Sequence, residues 1–221
     1  MIYVLLFPLF FPISLFSLSI MLDPAGDAKT TGRIIDDSFE RGIALQYVQR
    51  LKQALEEQIP SIHITITRLP GETVTELQNA HFANRMAVDL YISIHFFNED
   101  KVIPRVYLYT YAQYDDSELR KIDLSFYRYD QAHLLNHVTT QKAADLFCEV
   151  FTQNKYKKKL SCSSCTYSLP FKPLVGIKVP ALAFEIGLKN KDDWRHFIDP
   201  LCEGLIRLAH LYEQGFKNEN R

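Results

Sequence analysis

Apolar residues fall along the chain in short blocks that alternate between two periods. Leu18 to Leu22 is a continuous apolar run that stops at Asp23-Pro24, as a buried strand ending in a turn would. Asp37 with Glu40 has the spacing of a capping box, and Ile43, Leu45, Val48, Leu51 and Leu55 follow at helical intervals up to Pro60. Ile62, Ile64 and Ile66 then alternate with His63, Thr65 and Thr67, which predicts a strand with one polar side. Thr73 with Glu76 repeats the capping-box spacing ahead of Leu77, Ala80, Ala83 and Met86, a second amphipathic helix. Residues 89–96 (DLYISIHF) and 106–111 read as further strands, followed by a polar, Tyr-rich loop over 113–129 and a helix over about 130–152. PALAFEI (180–186) reads as another buried strand. A last helix has Asp199 as N-cap, Pro200 at its first position, and Leu201, Leu205, Leu208 and Leu211 on one face.

Strands alternating with helices predict an α/β fold: a mostly parallel central sheet flanked by helices on both faces. The 221 residues suffice for one domain with a substantial core. The expected layout is a signal peptide or hydrophobic anchor over residues 1–17 and a single domain over 18–221. No charged side chain occurs from Met1 to Leu22, and the segment ahead of the first strand is shorter than the roughly 20 residues of a bilayer-spanning helix. Export is the expectation, with a buried terminal element as the alternative.

Composition narrows the function. With 25 Lys+Arg against 26 Asp+Glu the formal charge is -1, so no global field favours nucleic acid. Cys148, Cys162, Cys165 and Cys202 do not repeat the paired spacing of a structural zinc site. Residues 26–30 (GDAKT) lack the glycines of a phosphate loop. Cys162 and Cys165, the His133 and His137 pair, the Lys155 to Lys159 run and the alternating Tyr107, Tyr109 and Tyr111 each have a plainer structural explanation: a small disulfide, exposed histidines, a solvated helix end and one face of a strand.

In open α/β sheets functional groups gather at the carboxyl ends of the strands. That rule singles out Asp23 to Ala28 after the first strand, His95 at the end of the third, Glu185 at the end of the late strand, and Glu40 in the first turn of the first helix. Taken singly, Glu40 is a capping acid, His95 a hydrogen-bonded strand-end histidine and Glu185 a carboxylate paired with a lysine. Taken together they are what a hydrolytic zinc site requires: mixed nitrogen and oxygen ligands with a spare carboxylate.

Four blocks, IMLDPAGDAKTTGR (20–33), FERGIALQYVQRLKQAL (39–55), TRLPGETVTELQNAHFANRMAVDLYISIH (67–95) and VPALAFEIGLKN (179–190), occur in an order that resembles the zinc-dependent N-acetylmuramoyl-L-alanine amidases, over Ser19 to Tyr212. The resemblance implies a mixed, largely parallel sheet, a peptidoglycan substrate cut between muramic acid and L-Ala, and Zn2+ as cofactor. It makes Glu40 and His95 zinc ligands and Glu185 the carboxylate that works on the catalytic water. The family's first zinc-binding His lies in an Asp-Pro-Gly-His-Gly-Gly motif, and here Gly26 stands in its place, with Asp27 as a weak candidate for third ligand. Two readings follow: a periplasmic or envelope amidase of reduced activity, or a degenerate amidase that binds peptidoglycan or regulates another cell-wall hydrolase through an envelope partner.

Overall fold

The structure, a computed structural model, describes residues 17–101, 103–113, 127–162 and 166–214. Its centre is a six-stranded sheet built from β1 (Ser19–Pro24), β4 (His63–Ile66), β5 (Leu90–Asn98), β6 (Val106–Tyr111), β7 (Thr166–Leu169) and β8 (Ala181–Leu188), in the order β4-β1-β5-β8-β6-β7. All neighbours are parallel except β6 and β8, so the expected mixed, mostly parallel sheet is what forms. β2 (Ile34–Ile35) and β3 (Ser38–Phe39) form a small antiparallel ribbon that the apolar pattern does not announce. Its two-residue turn places Asp36 at φ +55.

Helices α1 (Glu40–Gln58), α3 (His137–Phe151) and α4 (Ile198–Glu213) cover one face. There Ile43, Tyr47, Leu51, Phe147, Phe151, Leu205 and Leu208 bury against Ile92, Ile94 and Phe184. The other face is covered by α2 (Glu76–Met86) and the 171–179 segment around Tyr91, Ala183 and Tyr111. Toward the carboxyl ends of β5 and β8 this second layer thins to Phe171, and His95 and Glu185 are only partly buried there. β4 and β5 flank β1 on opposite sides, so the strand order reverses at β1. The crevice beyond β1 and β5 is where such sheets hold ligands.

The helix starts differ from the capping patterns. The α1 N-cap is Phe39 with no side-chain cap, and Asp37 instead meets Lys191 Nζ at 2.7 Å, so the Asp37/Glu40 box does not form. The α2 box is made by Thr75 and Gln78, two residues beyond the expected Thr73/Glu76 pair. Asp199 lies inside the first turn of α4, whose N-cap is Phe197. The helix expected over 130–152 divides into a 3₁₀ segment, Tyr129–Asn136, and α3, so His133 and His137 straddle a junction rather than share one helical face. His133 Nδ1 lies 3.1 Å from the Asp130 carbonyl and the ring packs edge-on to Tyr111. Most of the leader, most of the Tyr-rich loop and Cys165 lie outside the described residues. Among the described residues no helix is long and apolar enough to cross a membrane.

Candidate active site

β1 carries the anchor of the site. The Asp23 carboxylate is buried and accepts hydrogen bonds from Thr67 Oγ1 (2.7 Å), Asn79 Nδ2 (2.8 Å), Tyr91 OH (2.8 Å) and Ser93 Oγ (3.0 Å). A charge taken out of water is tolerated when donors saturate it in this way. Ser93 Oγ also lies 3.0 Å from His95 Nε2. The other ring nitrogen, Nδ1, turns toward Glu40, so the imidazole spans the Ser93 hydroxyl and that carboxylate.

Glu40 sits at the head of α1 with its carboxylate buried over the end of the sheet. Oε1 accepts the Phe96 N–H at 2.9 Å and lies 3.5 Å from His95 Nδ1, while Oε2 accepts the Arg33 N–H at 3.0 Å. Burial pushes this carboxyl up, but the His95 ring and the two backbone N–H groups outweigh it and hold Glu40 below its ordinary value. Gly32 makes the approach possible, because a Cβ there would stand 2.7 Å from Glu40 Oε2 and its φ is +75.

Glu185 faces the same crevice from β8, paired in register with His95. Neither residue ends its strand as expected: β5 continues to Asn98 and β8 to Leu188, so the two side chains project from a sheet face near its rim. Glu185 Oε1 accepts from Arg33 Nη2 at 2.6 Å, and Oε2 accepts from Tyr109 OH at 2.9 Å. The partner is thus an arginine from the loop before β2, where a lysine was the simplest expectation. Tyr109 in turn stacks on Phe171, which packs edge-on against His95. Burial first, and then the Glu185 carboxylate, raise the Tyr109 phenol well above its ordinary value, so it remains a donor.

The loop after β1 supplies no third ligand. Gly26 has φ +72, and a Cβ on it would lie 2.8 Å from both Arg41 Cβ and the Thr30 carbonyl, so this backbone has no room for a histidine. Asp27 lines the same cleft of about 370 Å³ as His95, but its Oδ1 accepts the N–H groups of Lys29 (2.8 Å) and Thr30 (2.6 Å). The Thr30 bond is the main cause of its lowered carboxyl pKa. Asp27 therefore caps its own turn.

Zinc can be tested against these donors. His95 Nδ1 and Glu40 Oε1 have the 3.5 Å spacing of two ligands each about 2.1 Å from one ion. A hydrolytic zinc site needs three protein ligands and an open position. Among the described residues no group of three His, Cys, Asp or Glu side chains could hold a metal, and the guanidinium of Arg33 already lies against Glu185. The donor set is one ligand short and does not fit a catalytic zinc.

Glu40, His95 and Glu185 were all legible as chemistry-bearing residues, and the fold brings them together. Tyr109 was visible only as one of three alternating tyrosines. Arg33 carried no signal, because an arginine in a polar loop matches no motif.

The fold agrees with the comparisons. The sequence profile of the N-acetylmuramoyl-L-alanine amidase family matches residues 20–202. No curated protein matches the chain. Among solved structures, N-acetylmuramoyl-L-alanine amidase AmiC2 of Nostoc punctiforme superposes with a TM-score of 0.60 at 15% identity, over 87% of this chain and 97% of that one. The N-acetylmuramoyl-L-alanine amidase of Clostridium difficile 630 gives 0.57 at 16% identity, over 90% and 98%. The CwlD amidase of Clostridioides difficile, solved in complex with the GerS lipoprotein, gives 0.54 at 12%, over 88% and 99%. With the family profile spanning β1 to the start of α4 and the same sheet recurring in these neighbours, the chain belongs to the N-acetylmuramoyl-L-alanine amidase family.

Proposed function

We propose that this chain is an exported, amidase-like peptidoglycan hydrolase directed at the amide between muramic acid and the L-alanine of the stem peptide, with turnover well below that of a complete three-ligand zinc site. The observation that carries this reading is the convergence of Glu40, His95 and Glu185 around Arg33 at one rim of the sheet, beside a loop with Gly26 where the resemblance puts the third ligand. Family membership supports the substrate class, and the uncharged run over residues 1–17 supports export to the cell envelope.

Glu185 is the group suited to move a proton. Glu40 is committed to the Phe96 and Arg33 N–H groups, whereas among the described residues Glu185 is held by the ends of two side chains. It can take a proton from a water at the scissile carbonyl and hand it to the leaving amine. Each Glu185 oxygen accepts one bond and keeps a second lone pair for that water, while the Arg33 charge favours the ionised carboxylate and makes it a weaker base. Tyr109 OH, aimed at the same carboxylate, keeps its orientation. The Arg33 contact favours a second reading, in which the cleft holds muramyl peptide without cutting it and the domain regulates another envelope hydrolase.

The purified full chain, wild type and Glu185→Gln, is to be tested for release of stem peptide from muramyl peptide and for pelleting with insoluble peptidoglycan. Slow release abolished in E185Q with pelleting retained supports the hydrolase. Pelleting with no release dependent on Glu185 supports the second reading. Absence of both removes the cell-wall assignment.

A further inference from the structure

Arg33 ties three elements together at the point where the family's metal chemistry is centred. Its backbone N–H donates to Glu40 Oε2 on α1, its Nη1 to the Phe96 carbonyl of β5 (3.3 Å), and its Nη2 to Glu185 Oε1 on β8. The two carboxylates it serves are largely withdrawn from water, with side chains 5% and 14% exposed, while Arg33 itself is 49% exposed. Two partly buried anions converging on one strand end cost free energy unless a cation compensates them. A metal would do this in a three-ligand site, yet the third ligand is missing and cannot be restored at Gly26 on this backbone. The guanidinium is permanently charged and presents a planar fork to a carboxylate. Placing it needs Gly32, since any Cβ at that position would run into the Glu40 carboxylate.

We propose that Arg33 is the resident cation of this site: it has taken over the charge-compensating role of a metal between Glu40 and Glu185, so that the domain folds without zinc and its cleft resists a divalent ion. The alternative is an ordinary half-exposed ion pair of little consequence. The two differ in their response to zinc, independently of any substrate. A divalent ion about 5 Å from a guanidinium is disfavoured by roughly tenfold in affinity even at the dielectric constant of water, and by more in a partly dry cleft.

The test uses the full chain as wild type, Arg33→Met and Arg33→Met/Glu185→Gln, with zinc affinity by titration calorimetry and melting curves in EDTA and in zinc. Wild type is expected to melt at the same temperature in both, and to bind zinc weakly. R33M should melt lower in EDTA, recover in zinc and bind zinc at least about tenfold more tightly than wild type. The double variant, which removes one of the two anions, should regain part of the lost melting temperature in EDTA and supplies a folded protein should R33M not fold. A wild type that binds zinc tightly and melts higher with it overturns the proposal, as does an R33M that melts like wild type and gains no zinc affinity. Pelleting with peptidoglycan is scored separately, so loss of the substrate assignment leaves this result standing.

Discussion

Two carboxylates near the same rim of the sheet are held in opposite ways. Asp23 on β1 is surrounded by four neutral donors and lies among buried groups. Glu185 on β8 has one phenol and one guanidinium, both reaching it across the open part of the crevice. Neutral donors that saturate a carboxylate make a rigid anchor, because no partner can leave without stranding a buried group. A guanidinium and a phenol that reach the carboxylate from the half-exposed side leave it room for a further partner, so the second arrangement suits a site that admits a ligand while its cation stays in place. The anchor orients through Ser93 and His95, and the more open pair stands next to it.

The sharpest way to break this contrast is Asp23→Ala, which leaves the hydroxyls of Thr67, Tyr91 and Ser93 and the Asn79 amide without their acceptor. It should cost on the order of 4 kcal/mol in urea unfolding. Added zinc should return none of that loss, in contrast to R33M; a loss under about 1 kcal/mol would show that these donors find water instead. Gly32→Ala comes next, at about 2 kcal/mol, since it combines a φ of +75 with a Cβ pressed onto Glu40. Its unfolding midpoint is the readout, and a neutral result would mean that the loop before β2 can move away from α1. Tyr109→Phe removes one bond to the Glu185 carboxylate and should cost about 1–1.5 kcal/mol, with a larger effect on Glu185-dependent peptide release than on stability.

The smallest effect sharpens the comparison away from the cleft. Glu203 on α4 pairs with Lys155 and Tyr156. Burial acts to raise its carboxyl, yet these partners prevail and draw it down to about 2. A carboxylate depressed in the folded state adds stability above its unfolded value of about 4.3, and that stability is lost as the pH falls toward the folded value. The pairing is made at the surface with a Lys155 that is mostly exposed, and solvent screening cuts the effect below what the depressed carboxyl alone would give, so Glu203→Gln should cost about 1 kcal/mol or less at pH 7, with the difference from wild type shrinking below pH 4 in urea titrations.

How much of this could be read from the residues varies with the kind of interaction. The strands were legible because Leu18 to Leu22 and Ala181 to Ile186 bury almost every side chain on both faces, and burial on that scale leaves an unbroken apolar run. The helix starts were misread because Asp37 and Thr73 have the right chemistry two residues ahead of the true N-caps, Phe39 and Thr75. There the geometry of the β2–β3 ribbon, and a competing cap at Thr75, decided the outcome. Glu40, His95 and Glu185 stood out because each places a polar group in an apolar setting, which is costly enough to need a reason.

The sequence by itself determined the alternation of strands and helices and the family, because these are written in local period and in motifs read along the chain. Only the tertiary structure decided that Arg33 closes on Glu185, that Tyr109 serves the same carboxylate, and that Asp27 turns back on its own loop. Those contacts join residues 152 and 76 positions apart, or are chosen among several partners that local spacing leaves equal. Which partner a charge takes depends on distance and burial in the folded molecule, and neither quantity exists until the chain has folded.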